Sequence, residues 1–297
     1  MRVSTSSTYL VTAQSLGSAL ERVQKQQTAV GTMKAITAWS DDAPGAAAAE
    51  RYRAEESDWT SFQRTGADAK SWLSAADGAL QSMSGVMSRL KELSVSAVSG
   101  ALTFASRTAI ADEVDQLRAE LKDLGNTEHL GRSLFGGFGA QALTSDATGA
   151  VVSAGDAGAV RRQVSPTVTL TVNVSAKALL GFDAGAGQDV FSQLSALSAA
   201  VRSGDTAGIS SAQANLGSRH ADILRGLATV GTTTNRVDAA ATAGSVALED
   251  LATRRSQLED VDYADAILKL NQAQAGYSAA LGAAAKANLP SLADFLR

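Results

Sequence analysis

Few side chains in this 297-residue chain could do chemistry, and their spacing does not suit it. The two histidines, His129 and His220, each lack a second histidine or an acidic residue at ligand spacing, so they read as packed or surface side chains. Asp41-Asp42 and Asp260-Val261-Asp262 offer paired carboxylates of the kind that hold a divalent cation. The first pair, however, stands where a helix needs a cap, and the second reads as a solvated bend. Gly131, Gly136, Gly137 and Gly139 form no phosphate loop, because no Gly-Lys-Ser/Thr follows them. With no cysteine in the chain, disulfides, zinc-thiolate sites and thiol catalysis are excluded. Trp39, Trp59 and Trp72 read as core or interface aromatics. No catalytic residue, metal ligand or cofactor is assigned, and an enzyme is not expected.

What the sequence carries instead is helix. Only three prolines, Pro44, Pro166 and Pro290, interrupt it. From Ile209, apolar and small residues recur in alternating steps of four and three through Gln213, Leu216, His220, Ile223, Leu227, Val230, Thr234, Val237, Ala241, Gly244, Leu248, Leu251, Arg255 and Leu258, a coiled-coil seam. Past Leu258 that register would demand Asp262 and Asp265. The apolar positions resume out of phase, as Ile267, Leu270, Gln274, Tyr277, Leu281 and Ala284. A stripe that changes face must meet different neighbours on either side of the break. Two partners are available. Tyr9, Ala13, Leu16, Leu20, Val23, Gln27 and Val30 repeat the rhythm over a length matching residues 267–284. A longer stripe runs through Tyr52, Glu55, Trp59, Phe62, Gly66, Ala69, Leu73, Ala76, Leu80, Met83, Met87 and Leu90. At about 1.5 Å per residue its helix, from Pro44 to Val98, would be some 80 Å long, against roughly 75 Å for residues 209–258.

A third helix is expected from Ser106 as cap through Ile110, Val114, Leu117, Leu121 and Leu124, stopping at Gly125-Asn126. Residues 164–174 alternate in the β manner, and residues 141–160 read as a surface loop or weak hairpin. The pattern returns to helix over residues 189–201. The order is therefore symmetric: outer helix, long helix, short helix, β insert, short helix, long helix, outer helix. The expected fold class is mainly α, a long antiparallel coiled-coil-like bundle with a small β-rich insert. Its domains would be the terminal segments 1–40 and 259–297, the bundle 41–138 with 188–258, and the insert 139–187.

The net charge of −4, without a basic block, leaves no electrostatic footprint for nucleic acid or anionic lipid. No apolar run is long enough to cross a membrane, and residues 1–20 lack the layout of a cleaved secretory signal. On these grounds alone the chain would be assigned to the cytoplasm.

Five short motifs, in order along both terminal thirds, change that expectation. Met1-Arg2-Val3-Ser4-Thr5, residues 40–46 (SDDAPGA), residues 131–137 (GRSLFGG), residues 258–264 (LEDVDYA) and residues 291–296 (SLADFL) resemble the flagellin-related hook-associated proteins that join the hook and filament of bacterial flagella. One departure is Ala43, which stands between the two aspartates and Pro44. The resemblance implies a structural component of the flagellum with a flagellin-like fold. It would be exported by the flagellar type III apparatus without signal cleavage and would lie outside the cell. Its partners would be a hook-side junction protein, flagellin, further copies of itself in a ring or layer, and an export chaperone. A short flagellin, and a cytoplasmic helical adaptor, remain as alternatives.

The residues expected to carry assembly are Tyr9, Ala13, Leu16, Leu20, Val23, Val30, Ile267, Leu270, Tyr277 and Leu281 on the terminal helices. The bundle seam is expected at Trp59, Phe62, Leu73, Leu80, Met83, Met87, Leu90, Leu216, Ile223, Leu227, Leu248, Leu251 and Leu258. Around the helix-ending Pro290, Leu289, Leu292, Phe295 and Leu296 form an apolar tail too short to bury itself, which some partner must cover and which, the resemblance implies, an export chaperone would.

Overall fold

The computed structural model describes residues 5–98, 103–185 and 187–287. The apolar tail at residues 289–297 lies outside them. Seven α-helices occur among the described residues: α1 (Thr5–Thr32), α2 (Ala43–Val98), α3 (Phe104–Gly125), α4 (Ala176–Leu179), α5 (Val190–Ser203), α6 (Thr206–Glu259) and α7 (Tyr263–Ala287). Between α3 and α4 stand three antiparallel hairpins: β1 (Glu128–His129) with β2 (Arg132–Ser133), β3 (Leu143–Ser145) with β4 (Val151–Ser153), and β5 (Arg161–Gln163) with β6 (Thr169–Thr171). The fold is mainly helical with a small β-rich middle. It divides into two compact units, one of Trp59–Val246 and one of Met1–Asp58 with Ala247–Arg297.

The Trp59–Val246 unit owes its core to the four-three stripe on α2. Ala69, Leu73, Ala76, Leu80, Met83, Met87 and Leu90 are all buried, and Ile209, Leu216, Ile223, Val230 and Val237 supply the facing stripe of α6. The two helices run antiparallel, as the pairs Gln63–Ser245, Lys70–Asp238 and Ser84–His220 require. α3 and α5 close the core with Val114, Leu121, Phe191, Leu194 and Leu197. Arg202 spans Asp112 and Asp115 along their junction. Trp59 and Phe62, at the edge of the stripe, are half-buried and meet edge to face at 6.0 Å.

Two local expectations change. Thr103, not Ser106, caps α3: it is extended, and its hydroxyl accepts the Ser106 N–H at 3.2 Å. Residues 164–174 do not form one strand. Pro166 has no N–H to offer a ladder, and the chain reverses there, with the Val164 N–H donating to the Val168 carbonyl at 3.0 Å. The apolar side of the alternation survives the turn, since Val164, Leu170 and Val172 are all buried.

The hairpins share the helical core rather than standing apart from it. Leu134, Phe135, Leu143, Leu170 and Leu180 belong to the same buried cluster as Leu80. Asn126, the C-cap of α3, ties the β3–β4 hairpin down: its amide donates to the Leu143 carbonyl and its carbonyl accepts the Leu143 N–H. Gly137 explains the double glycine of the 131–137 motif. Its φ of +67° and the Asp156 carboxylate against it leave no room for a side chain, and that carboxylate also accepts the N–H groups of Phe138 and Gly158.

Candidate assembly interface

In the other unit, α1 and α7 pack against each other. The end of α1 meets the start of α7, so the two run antiparallel. On α1 the sheltered positions are Thr12, Leu16, Ala19, Val23, Gln26 and Val30, and on α7 they are Ala266, Leu270, Ala273, Tyr277, Ala280 and Ala284. Both series keep the four-three step. The single stripe read from each sequence therefore divides into two faces. Leu16, Val23, Val30, Leu270 and Tyr277 face inward, and Ile267 lies half-buried at the margin. Ala13, Leu20 and Gln274 stay in solvent, as do Tyr9, 60% exposed, and Leu281, 43% exposed. Leu10, Val11 and Leu268 extend the outer apolar surface.

On α7 four of these six inward positions are alanine, Ala266, Ala273, Ala280 and Ala284, whereas on α1 only Ala19 is. Small residues let the helices approach closely but bury little apolar area, at roughly 25 cal/mol per Å². The base of the pair is held by polar groups. Asp42 caps α2 through the Gly45 N–H at 3.1 Å, and Asp262 caps α7 through the Ala264 N–H at 2.8 Å. The Asp41 carboxylate lies well below the usual carboxylate range, chiefly because Lys25 pairs with it at 2.7 Å and then because the Thr37 and Ala38 N–H groups donate to it. Between the caps the two helix breaks are stitched backbone to backbone. The Ala35 N–H donates to the Glu259 carbonyl at 2.6 Å, and the Val261 N–H to the Met33 carbonyl at 3.1 Å.

The Glu259 side chain sits on this stitch, 3% exposed. Lys34 reaches it at 3.1 Å, Arg53 of α2 at 2.6 Å and Arg255 of α6 at 3.5 Å. Burial works against the charged carboxylate, but the Lys34 hydrogen bond and the Arg53 charge outweigh it, so its pKa falls below the ordinary value. Lys34 also holds Asp260 at 2.6 Å, and Arg255 holds Glu56 at 3.0 Å. A cavity of about 120 Å³ opens beside the carboxylate, lined by Ile36, Trp39, Ala49 and Arg53 among others. Trp39 is 62% exposed.

Sequence reasoning passed over this cluster. The signals were Arg255 in an apolar register, Glu259 one turn later and the phase break just beyond. On the C-terminal stretch of α6, Leu248 is half-buried and Leu251 buried. Leu258 remains 37% exposed, because the last turn of α6 directs its neighbour Glu259 inward instead. Leu227, farther up the helix, packs half-buried on the core of the larger unit. The histidines are both structural in their contacts. His220 bonds the Ser84 hydroxyl at 2.9 Å, its pKa lowered by burial and then by Lys91, and His129 bonds Ser71 at 2.8 Å against the edge of Trp72.

Comparison with known proteins adds to this geometry. Residues 3–139 match the model of the bacterial flagellin N-terminal helical region, and residues 213–296 match that of the C-terminal helical region. A Vibrio parahaemolyticus protein described as a flagellar hook-associated protein shares the fold with a TM-score of 0.69 at 23% identity, over 74% of this chain and 100% of that one. The flagellar junction protein FlgL of Legionella pneumophila does so at 0.60 and 14%, over 72% and 100%. In sequence, the polar flagellin F of V. parahaemolyticus is 29% identical over 46% of this chain, which spans only 37% of that flagellin's length. The flagellar filament 30.7 kDa core protein of Treponema maltophilum is 24% identical over 92% of this chain and 91% of its own. The two matches, in order at the two ends of the chain, define a flagellin-type structural protein. The chain belongs to the bacterial flagellin family.

Proposed function

We propose that this chain is a hook-associated subunit of the bacterial flagellum, forming the junction between hook and filament through its terminal segments 1–40 and 259–297. The observation that carries the reading is the second apolar face on each end helix. Tyr9, Leu10, Val11 and Leu20 on α1 and Leu268 and Leu281 on α7 lie outside the α1–α7 seam and exposed, an apolar surface that a second neighbour would cover. The likeness in fold to hook-associated and junction proteins supports the same assignment.

In this reading the outer faces meet further copies of the chain in a ring or layer, with a hook-side junction protein below and flagellin above. The subunit reaches that position through the flagellar type III channel, outside the cell. Residues 289–297, with Leu289, Leu292, Phe295 and Leu296, form the segment that an export chaperone or axial neighbour covers. The unit of Trp59–Val246, with the hairpins of residues 139–187 packed on its helical core, then serves as the body of the subunit.

The test is a strain carrying the chain without residues 289–297, compared with one lacking the gene. The expected result is lost motility, with the truncated protein folded by circular dichroism and absent from sheared flagella. Normal swimming would refute the role of the tail. Labelling along the whole filament, rather than in one band at its base, would instead make the chain a filament subunit.

A further inference from the structure

We propose that Phe138 is a preformed anchor that docks in the hollow between α2 and α6 of a second copy of this chain, joining copies head to tail. The proposal rests on the reading of the chain as a self-assembling subunit and gives the Trp59–Val246 unit a contact of its own. Anchor, hollow and charge each carry part of it.

The anchor is an aromatic side chain held out in water. Phe138 is 66% exposed, yet its backbone is fixed on both sides. The Asp156 carboxylate accepts the Phe138 N–H and the Gly158 N–H, both at 2.8 Å. The Gly136 carbonyl accepts the Gly139 N–H at 3.0 Å, which closes the turn, and the Asp156 N–H at 3.2 Å. The phenyl group lies directly on Gly158, where a Cβ would overlap its edge. A side chain so placed gives up little freedom on binding, and exposed aromatics of this kind are the residues that anchor interfaces.

The hollow, of about 580 Å³, is lined by Ser88, Lys91, Glu92, Val95 and Ser96 of α2 and His220 of α6. A smaller one beside Met87 and Leu224 continues it past Lys91 and His220. Val95 and Leu224 lie exposed there, so apolar surface is open to an incoming side chain. The turn that carries Phe138 follows the β1–β2 hairpin, which is bonded to α2 at Ser71, and residue 71 lies about 30 Å along that helix from residue 91. Anchor and hollow therefore meet only between copies. Their charges suit each other. Glu92 is paired with Arg89 at 3.1 Å, whereas among the described residues no carboxylate pairs with Lys91 and no cation with Asp156. Docking sets the Asp156 carboxylate against Lys91 and offers the Lys91 ammonium an aromatic face. Because anchor and hollow are different surfaces, the contact repeats from copy to copy.

The experiment is oxidative cross-linking of the purified full chain, which has no cysteine of its own. Ala140→Cys, exposed two residues past the anchor, is combined with Ser96→Cys at the hollow. The pair should form a ladder of dimers, trimers and larger species. It should do so roughly tenfold faster than Ala140→Cys with Thr242→Cys, an exposed position about 33 Å along α6 from His220. Adding Phe138→Ala should slow the ladder about tenfold, and its exposure keeps the fold intact, which circular dichroism checks. Adding Lys91→Glu should slow it about tenfold at low salt and less at high salt. The proposal is overturned by equal rates for the two cysteine pairs, by dimers alone, or by a rate that Phe138→Ala leaves unchanged. None of these readouts depends on the flagellum. A fast ladder from a chain absent from sheared flagella would count against the assembly reading and leave the contact standing.

Discussion

Replacing Leu80 by alanine tests the register on which the larger unit is built. Leu80 is fully buried on α2, and the α6 backbone at Gly226 comes close enough that a Cβ added there would lie 3.9 Å from its Cδ1. The substitution removes three carbons, worth about 0.8 kcal/mol each in transfer from water. Because α6, Leu179 and the neighbouring turns of α2 cannot collapse into the space, a cavity cost adds to this, for a total of about 3–5 kcal/mol. For a unit of this size each kcal/mol lowers the melting midpoint by about 2–4 °C, so a drop of roughly 6–20 °C is expected. Thermal unfolding followed by circular dichroism measures it, with Leu281→Ala as a control expected within about 0.5 kcal/mol of the parent because that side chain is largely in solvent. An unchanged midpoint for Leu80→Ala would mean that α2 does not present this stripe to α6.

Gly137→Ala should cost about 2 kcal/mol or more, from the positive φ together with the clash against Asp156. Gly131→Ala, at a φ of +73° with open space around it, should cost only the conformational part, about 1–2 kcal/mol. Denaturant midpoints compare the two, and equal losses would remove the packing explanation. The Glu259 ion cluster also has a pH signature. The folded-state pKa of Glu259 is depressed below 4.5, so its contribution is present above that value and fades as the pH falls through the lower folded value. The stability difference between the parent chain and Glu259→Gln, from guanidinium titrations between pH 3 and 7, should be constant above about pH 5 and shrink in acid. Raised above 10.5, the Lys34 pKa closes the window on the alkaline side. A difference independent of pH would refute the charge as the operative feature.

The helices were legible because each long stripe repeats without interruption. Leu73, Leu80, Met83, Met87 and Leu90 form a buried row on α2, and Leu216, Ile223 and Val230 form one on α6. A period fixes which residues share a face, but on α1 and α7 two adjoining faces are both apolar. The sequence alone could not say which one the chain would cover itself, and Leu20 and Leu281 were grouped with Leu16 and Leu270 accordingly. Alternation had a similar limit at residues 164–174, where it passes through a turn at Pro166 without losing its phase. The Glu259 cluster lay hidden for a different reason. Its members are far apart in the chain, and only the meeting of two helix breaks brings Lys34 within reach of Asp260, 226 residues on.

That separation has a kinetic consequence. Joining residues 34 and 260 in an otherwise unfolded chain means closing a loop of 226 residues, at an entropic cost of about 5 kcal/mol from chain length alone, before two backbone hydrogen bonds give anything back. Folding of Trp59–Val246 first brings the two flanking ends of chain together and removes most of that cost. Contacts within the larger unit are also closer in sequence, since the α3–α5 pairs lie fewer than a hundred residues apart. The middle of the chain is expected to fold first and the ends to meet last, so a mutation that slows the middle should delay the meeting of residues 34 and 260, whereas one at that meeting should leave the folding rate of the middle unchanged.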